Sequence, residues 1–186
     1  MFNSFFTPTG FNPPITNLAL GDFYQGGTVV YLLQSGDPGY DPIIQHGFIF
    51  GEFIDNPNPG AGGPRWPWGS PPQQNVSTGS AIGTGATNTA AILAAYAPNT
   101  DLQYGAYAVH NSTYNGYTDW FIPSLYELKA IIPFAKTLGP WTANTTYAWT
   151  STQTGTSTAW CIYNNQLNEE DFLKIGYYLI PLVRSF

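Results

Sequence analysis

At 186 residues the chain is long enough for one domain with its own core, or for one domain plus an arm. Only 9% of residues are charged, net −6, while 17% are aromatic. The five Lys and Arg residues are spread out (Arg65, Lys129, Lys136, Lys174, Arg184), which excludes a nucleic-acid groove, and no run approaches the ~20 apolar residues of a membrane helix. Residues 1–20 carry Pro8, Pro13 and Pro14 with Phe2, Phe5, Phe6 and Phe11, and read as an extended anchoring arm. Such an arm either folds back on its own domain or docks into a neighbouring subunit or shell. Its first residues lack the basic start and apolar core of a signal peptide, so export by that route is not expected.

The domain is expected over residues 21–186. Thr28–Leu33 is β-branched and apolar between glycine-rich turns, which predicts a buried strand. Gly47–Phe50 predicts a second, short one. From Asp55 to Pro72 the chain is rich in Pro and Gly and reads as a long surface loop bearing Trp66 and Trp68. The stretch from Ile82 to Asn88 has the glycine spacing of a phosphate-cradling loop without its last glycine or a following Lys-Ser/Thr pair, so it reads as a turn. A helix over Thr89–Tyr96, capped by Thr87 or Asn88, follows and ends at Pro98.

A second helix is marked by Ser124 and Glu127 at capping-box spacing, with Leu125, Leu128, Ile131 and Ile132 on one face and a break or kink at Pro133, after which Phe134–Leu138 can add a turn. Tyr147–Thr152 and Ala159–Tyr163 predict a strand pair turning near Gly155. Glu169-Glu170-Asp171 reads as a solvated loop, with a calcium role as the alternative. Tyr177–Ser185 predicts a closing strand, with Pro181 implying an edge or bulge. Few strands, two helices and long connections describe an α+β domain. Cys161 is the only cysteine; no intrachain disulfide is possible, and its strand context predicts burial.

An ordered set of motifs runs through these elements: Gly26-Gly27-Thr28-Val29-Val30-Tyr31, His46-Gly47-Phe48-Ile49, Ile82-Gly83-Thr84-Gly85, Asn88 to Ile92, Gly116 to Ser124 with Glu127-Leu128, Trp149 to Thr152, Ala159-Trp160, and Val183 to Phe186. From Gly21 to Phe186 the chain resembles the Lcl C-terminal domain family of bacterial collagen-like adhesins and of phage and bacterial surface proteins. The resemblance implies a C-type-lectin-like fold with paired N- and C-terminal strands, frequent homotrimers, and binding of glycans or host surfaces. The sequence departs from calcium-dependent lectins in lacking Glu-Pro-Asn and Trp-Asn-Asp motifs, and from the adhesins in lacking a collagen-like stalk. With its short aromatic arm it is closer to a phage virion component, which places it on a virion surface or, alternatively, outside or on a bacterial cell.

Asp119, Trp120, Glu127, Trp149, Trp160 and Arg184 have structural explanations. The tryptophans fall in apolar patterns, and Arg184 in the last strand needs an acidic partner, Asp119 or Glu127. Catalysis is not expected. His46 and His110 lie near no patterned nucleophile, and no serine elbow or zinc-helix motif is present. No cofactor is expected.

Recognition would fall to loops between the later strands. Trp141, Asn144, Tyr163, Asn164, Asn165, Asn168 and Glu169 combine amides with aromatic faces, a chemistry that suits sugars. Trp66 and Trp68 either join them or close over the core or a subunit interface. Two functions follow: a structural module whose arm binds other virion proteins, or an adhesin for a host glycan or protein.

Overall fold

In the computed structural model, residues 17–57, 63, 65–97, 103–142, 147–163 and 167–186 are described. Phe23–Tyr24 (β1) turns at Gln25-Gly26 into Gly27–Leu32 (β2), which pairs antiparallel with Gly47–Phe53 (β3). The turn needs glycine at position 26: φ is 91°, and a Cβ there would meet the Tyr117 ring. Pro181–Ser185 (β9) completes this first sheet in the order β1-β2-β3-β9. The closing strand therefore lies beside β3, and the expected pairing of first with last strand is corrected. Both edges of β3 are taken, so β1 and β2 lie across it from β9.

The second sheet has the order β4-β8-β5-β6-β7, built from Arg65–Trp66 (β4), Tyr178–Leu179 (β8), Tyr147–Gln153 (β5), Thr158–Tyr163 (β6) and Glu169–Leu173 (β7). Its pairs are antiparallel except β5 with β8, and the whole is an α+β fold. The single strand expected over Tyr177–Ser185 is two. The chain leaves the second sheet after Leu179, gives the Ile180 carbonyl to Ile54 N at 3.0 Å, and enters the first sheet at Pro181. Proline has no N–H for a ladder, and the first position of a strand tolerates it.

Helices cover these sheets: Gly85–Tyr96 (α1), Gly105–His110 (α2), Leu125–Ala135 (α3) and Gly139–Thr142 (α4). Neither α2 nor α4 was expected; at six and four residues they span fewer than two turns, too few for a repeating apolar face to show in the sequence. The α1 helix starts earlier than the expected Thr87 or Asn88 cap. Thr84 is its N-cap, and Asn88 is buried, bonding Gly79 and Ser151 Oγ. The capping box of α3 is present, and Pro133 lies inside the helix rather than ending it. Beyond the proline the spiral continues through Lys136 N–H to the Ile132 carbonyl at 3.0 Å.

Two buried clusters make the core. One joins Val29, Ile49, Trp66, Trp68, Trp120 and Trp149 with α1 and α2; the other packs α3 against Val30, Phe48, Phe50, Ala148 and Ile162. Trp120 and Trp149 are buried as expected, while Trp160 is half-buried.

Candidate functional site

The arm's last residues belong to the folded body. Leu18, expected within the extended arm, is buried, and its N–H bonds Gln45 Oε1 at 2.7 Å. Gln45 Nε2 returns a bond to the Leu18 carbonyl at 3.2 Å. This reciprocal pair fastens the root of the arm to the loop between β2 and β3. That loop is braced from within. Asp37 accepts from Tyr31 Oη at 2.7 Å and Gln34 N at 2.8 Å, and Asp41 accepts from Ile43 N and Ile44 N at 2.7 and 3.0 Å. These backbone bonds hold the Asp41 carboxyl below the usual range. The braced loop presents Ile43, 84% exposed, and Ile44, with exposed Leu20 and Phe23 following the root.

Beside the loop lies a cleft of about 340 Å³. Leu33, Pro38, Phe48, Ala86, Phe121 and Phe186 make it apolar, and His46 also lines it, with Nδ1 3.0 Å from the Phe186 carbonyl. Glu127, 1% exposed, lines it too. Its Oε1 accepts from Gly83 N at 2.8 Å and Gly85 N at 3.2 Å, and its Oε2 from Ser124 N at 2.7 Å. The glycine turn that resembles a phosphate loop thus cradles a carboxylate of its own chain. A Cβ at Gly85 would collide with that carboxylate and with Phe121. Burial raises the Glu127 pKa, with the N–H bonds opposing it. Arg184 takes the other expected partner: its Nε and Nη2 donate to Asp119 at 2.8 and 2.7 Å.

A second region is the face of the second sheet on which Tyr147, Tyr163, Phe172 and Tyr178 lie half-buried. Cross-strand pairing sets Tyr147 opposite Tyr163, and the Tyr147 ring is also 4.7 Å from Phe172 and 5.9 Å from Tyr178. Tyr147 Oη donates to exposed Glu170 at 2.8 Å, and the accepting carboxylate raises the phenol's pKa. Rings with hydroxyls and a carboxylate at their margin can stack on a sugar and hydrogen-bond its hydroxyls. Of this group only Tyr163 and the acidic run were expected. The signal that could have found the others is alternation: Tyr147 and Trp149, and Glu170 and Phe172, share a face at period two.

The other expected ligand residues scatter. Trp66, Trp68 and Trp141 are buried at 6%, 0% and 2% exposure: Trp141 is corrected as a ligand-stacking face, and of the two alternatives for Trp66 and Trp68 the structure shows closure over the core. The Pro/Gly stretch that holds Trp66 and Trp68 is a surface loop only in part, because β4 pairs with β8 and draws Trp66 inward. Trp66 Nε1 bonds the Ile54 carbonyl at 3.1 Å, and Trp68 Nε1 the Thr150 carbonyl at 2.7 Å. The acidic run is a strand, not a loop: β7 pairs with β6 along its length, and charge on this edge discourages further pairing. Asn168 and Glu169 are exposed, and Glu169 forms an ion pair with Lys129. Asn144, Asn164, Asn165, Phe2, Phe5, Phe6 and Phe11 lie outside the described residues.

Lys174 is a buried cation that sequence reasoning did not single out. It is fully buried, and its Nζ donates to the Gln74 carbonyl at 2.8 Å, Gln153 Oε1 at 2.7 Å and the Thr156 carbonyl at 2.9 Å. The ammonium also lies 4.4 Å from the centre of the Trp68 ring. Burial pulls its pKa down to about 8, so it remains mainly protonated at pH 7. Cys161 is fully buried, and burial pushes its thiol pKa well up. Among the described residues no group of three or more His, Cys, Asp or Glu side chains could hold a metal ion. None of their helices is long and apolar enough to cross a membrane. No protein-family model matches this sequence, and no curated protein matches it.

Proposed function

We propose that this protein is a non-catalytic structural module of a bacteriophage virion surface, a capsid decoration or fibre knob. In this reading it has the C-type-lectin-like fold of the Lcl C-terminal domain family, assembles as a homotrimer and is anchored to other virion proteins by its arm. The root of the arm carries the reading. Leu18 is fastened to Gln45 beside the exposed apolar pair Ile43 and Ile44, and the sequence ahead of that fixed point carries four phenylalanines. A fixed root and an apolar collar suit attachment to a larger assembly. The test is peptide mass spectrometry of purified particles from a phage carrying the full chain, or a chain lacking Met1–Thr16. The full chain is expected in the particle, and the shortened chain to be lost from it while still melting cooperatively when isolated. Absence of the full chain from particles would end the proposal, and full loading of the shortened chain would end the anchoring role.

The half-buried rings on the second sheet favour a second reading, a glycan-binding adhesin. Tyr147, Tyr163, Phe172 and Tyr178 beside Glu170 combine apolar faces with hydrogen-bonding margins. A glycan-array screen of the full chain tests it: a hit weakened at least about tenfold by Phe172→Ala supports it. An array without hits would rule it out.

A further inference from the structure

We infer that the ring-bearing face of the second sheet selects an amine-bearing sugar, whose ring stacks on the aromatic side chains while its ammonium pairs with Glu170. That selectivity rests on the glycan-binding reading of this face and names the class of sugar it takes. The rings form a fixed arrangement. Tyr147 lies 5.2 Å from Tyr163 and 4.7 Å from Phe172, and Phe172 lies 4.8 Å from Tyr178, so each ring braces the next while all four stay half-buried. Side chains ordered before a ligand arrives lower the cost of binding it.

The charge on this face is one-sided. Glu170 is exposed, and its carboxylate accepts from Tyr147 Oη at 2.8 Å, which leaves further lone pairs for a ligand. Register sets Glu170 opposite Cys161, on the side of Phe172; Glu169 and Asp171 alternate to the other side, where Glu169 pairs with Lys129. Among the described residues, which include all five lysines and arginines, none pairs with Glu170. Lys129 and Lys136 belong to α3 and its cap, and α3 packs on the opposite face of the sheet through Ala148 and Ile162. Lys174 is buried, Arg184 is bonded to Asp119, and Arg65 sits on β4, the far edge of the sheet from β7. Electron-rich ring faces beside a carboxylate attract a cation, and in a chain of net charge −6 they repel a uronate, sialate or sulfate. A neutral or N-acetylated sugar can stack on the rings, but it forgoes the attraction to Glu170. The match is to a sugar with a free amine.

The test is calorimetric titration of the full chain with three tetrasaccharides, of β-1,4-linked glucosamine, of its N-acetylated counterpart and of galacturonate, at about pH 6, where the sugar amine is protonated. The glucosamine form is expected to bind at least about fivefold more tightly than the N-acetylated form, with galacturonate weakest. Glu170→Gln keeps an acceptor for Tyr147 Oη and removes the charge. It is expected to weaken the glucosamine form at least about threefold and to leave the N-acetylated form unchanged. A merely structural role for Glu170 would weaken both alike, and that result would overturn the inference. So would equal or reversed affinities for the first two sugars, or no binding of the glucosamine form. A glycan array without hits ends the glycan reading and this selectivity with it. Array hits confined to neutral, N-acetylated or acidic glycans leave that reading standing and end the selectivity alone.

Discussion

Arg184 and Lys174 are two buried cations in a chain with little charge, and their surroundings solve the same problem differently. Arg184 donates to both oxygens of Asp119 and to the Gln25 carbonyl and Oε1, with the Tyr117 ring 4.2 Å from its guanidinium. Its partner carboxylate is 59% exposed, so water shares the cost of the pair. Lys174 has no carboxylate among its bonds. Two backbone carbonyls, one amide oxygen and the Trp68 face stabilise its ammonium. Such groups bring partial charges only, and they fall short of hydration; hence the downward pull on its pKa. A carboxylate near water makes an ion pair that salt can reach, whereas carbonyls in the core make a clamp that pH can reach.

Removing the clamp is the harshest way to break this contrast. Lys174→Ala leaves a cavity and strands the Gln74 and Thr156 carbonyls and Gln153 Oε1, and it takes away the cation over Trp68. The expected loss is about 3–4 kcal/mol in urea unfolding. Lys174→Met keeps most of the volume and strands the same acceptors, so about 2 kcal/mol is expected. A loss below about 1 kcal/mol for the alanine variant would mean that the acceptors find water and that the clamp is weak.

The contrast sharpens with pH. Lys174 has a folded-state pKa of about 8 against about 10.4 for a free lysine. Below pH 8 both states are protonated and the full penalty stands. Between the two values the unfolded chain binds more protons, so stability rises with pH there and levels off above the unfolded value. From pH 7 to 10 the rise is expected to be roughly 2 kcal/mol. Above pH 10 Tyr31, raised to about 12 by burial and by Asp37, ionises first in the unfolded chain and turns the trend downward. The wild-type chain minus Lys174→Met isolates the lysine's part. A flat difference between pH 7 and 10 would show that the ammonium is not destabilised by burial.

How far these sites are legible in the sequence follows from the same physics. Arg184 is readable in part: a lone charge in an apolar strand demands a carboxylate, but the sequence leaves Asp119 and Glu127 both open and only the fold selects Asp119. The Ser124–Glu127 box is readable because its spacing is local. Glu127's further role, holding Gly83 and Gly85, is not, since those donors are more than 40 residues away. Lys174 is unreadable for another reason: its partners are carbonyls, which every residue carries, and a lysine after Asp171-Phe172-Leu173 looks like a solvated end. The exchange of the last segment between sheets at Ile180 depends on which strands lie beside it, and only Pro181 hints at it. Trp66 and Trp68 remain open in the sequence because a two-residue strand, Arg65–Trp66, has no period to read and Trp68 lies beyond it in irregular chain.

The gentlest probe acts on the surface half of the comparison. Asp119→Asn keeps the shape of the carboxylate and removes its charge while leaving Arg184 its bonds to Gln25. Because Asp119 is more than half exposed, the expected cost is about 1 kcal/mol at low ionic strength. Raising salt from about 0.05 to 0.5 M shortens the screening length several-fold, and the cost should fall by roughly half. Lys174→Met measured in the same buffers should keep its cost, since no ion reaches the carbonyls around Nζ. Urea titrations of the three proteins at two salt concentrations read both terms at once. If the Lys174 cost falls with salt as much as the Asp119 cost does, the two cations share one field and the contrast between an exposed pair and a carbonyl clamp is wrong.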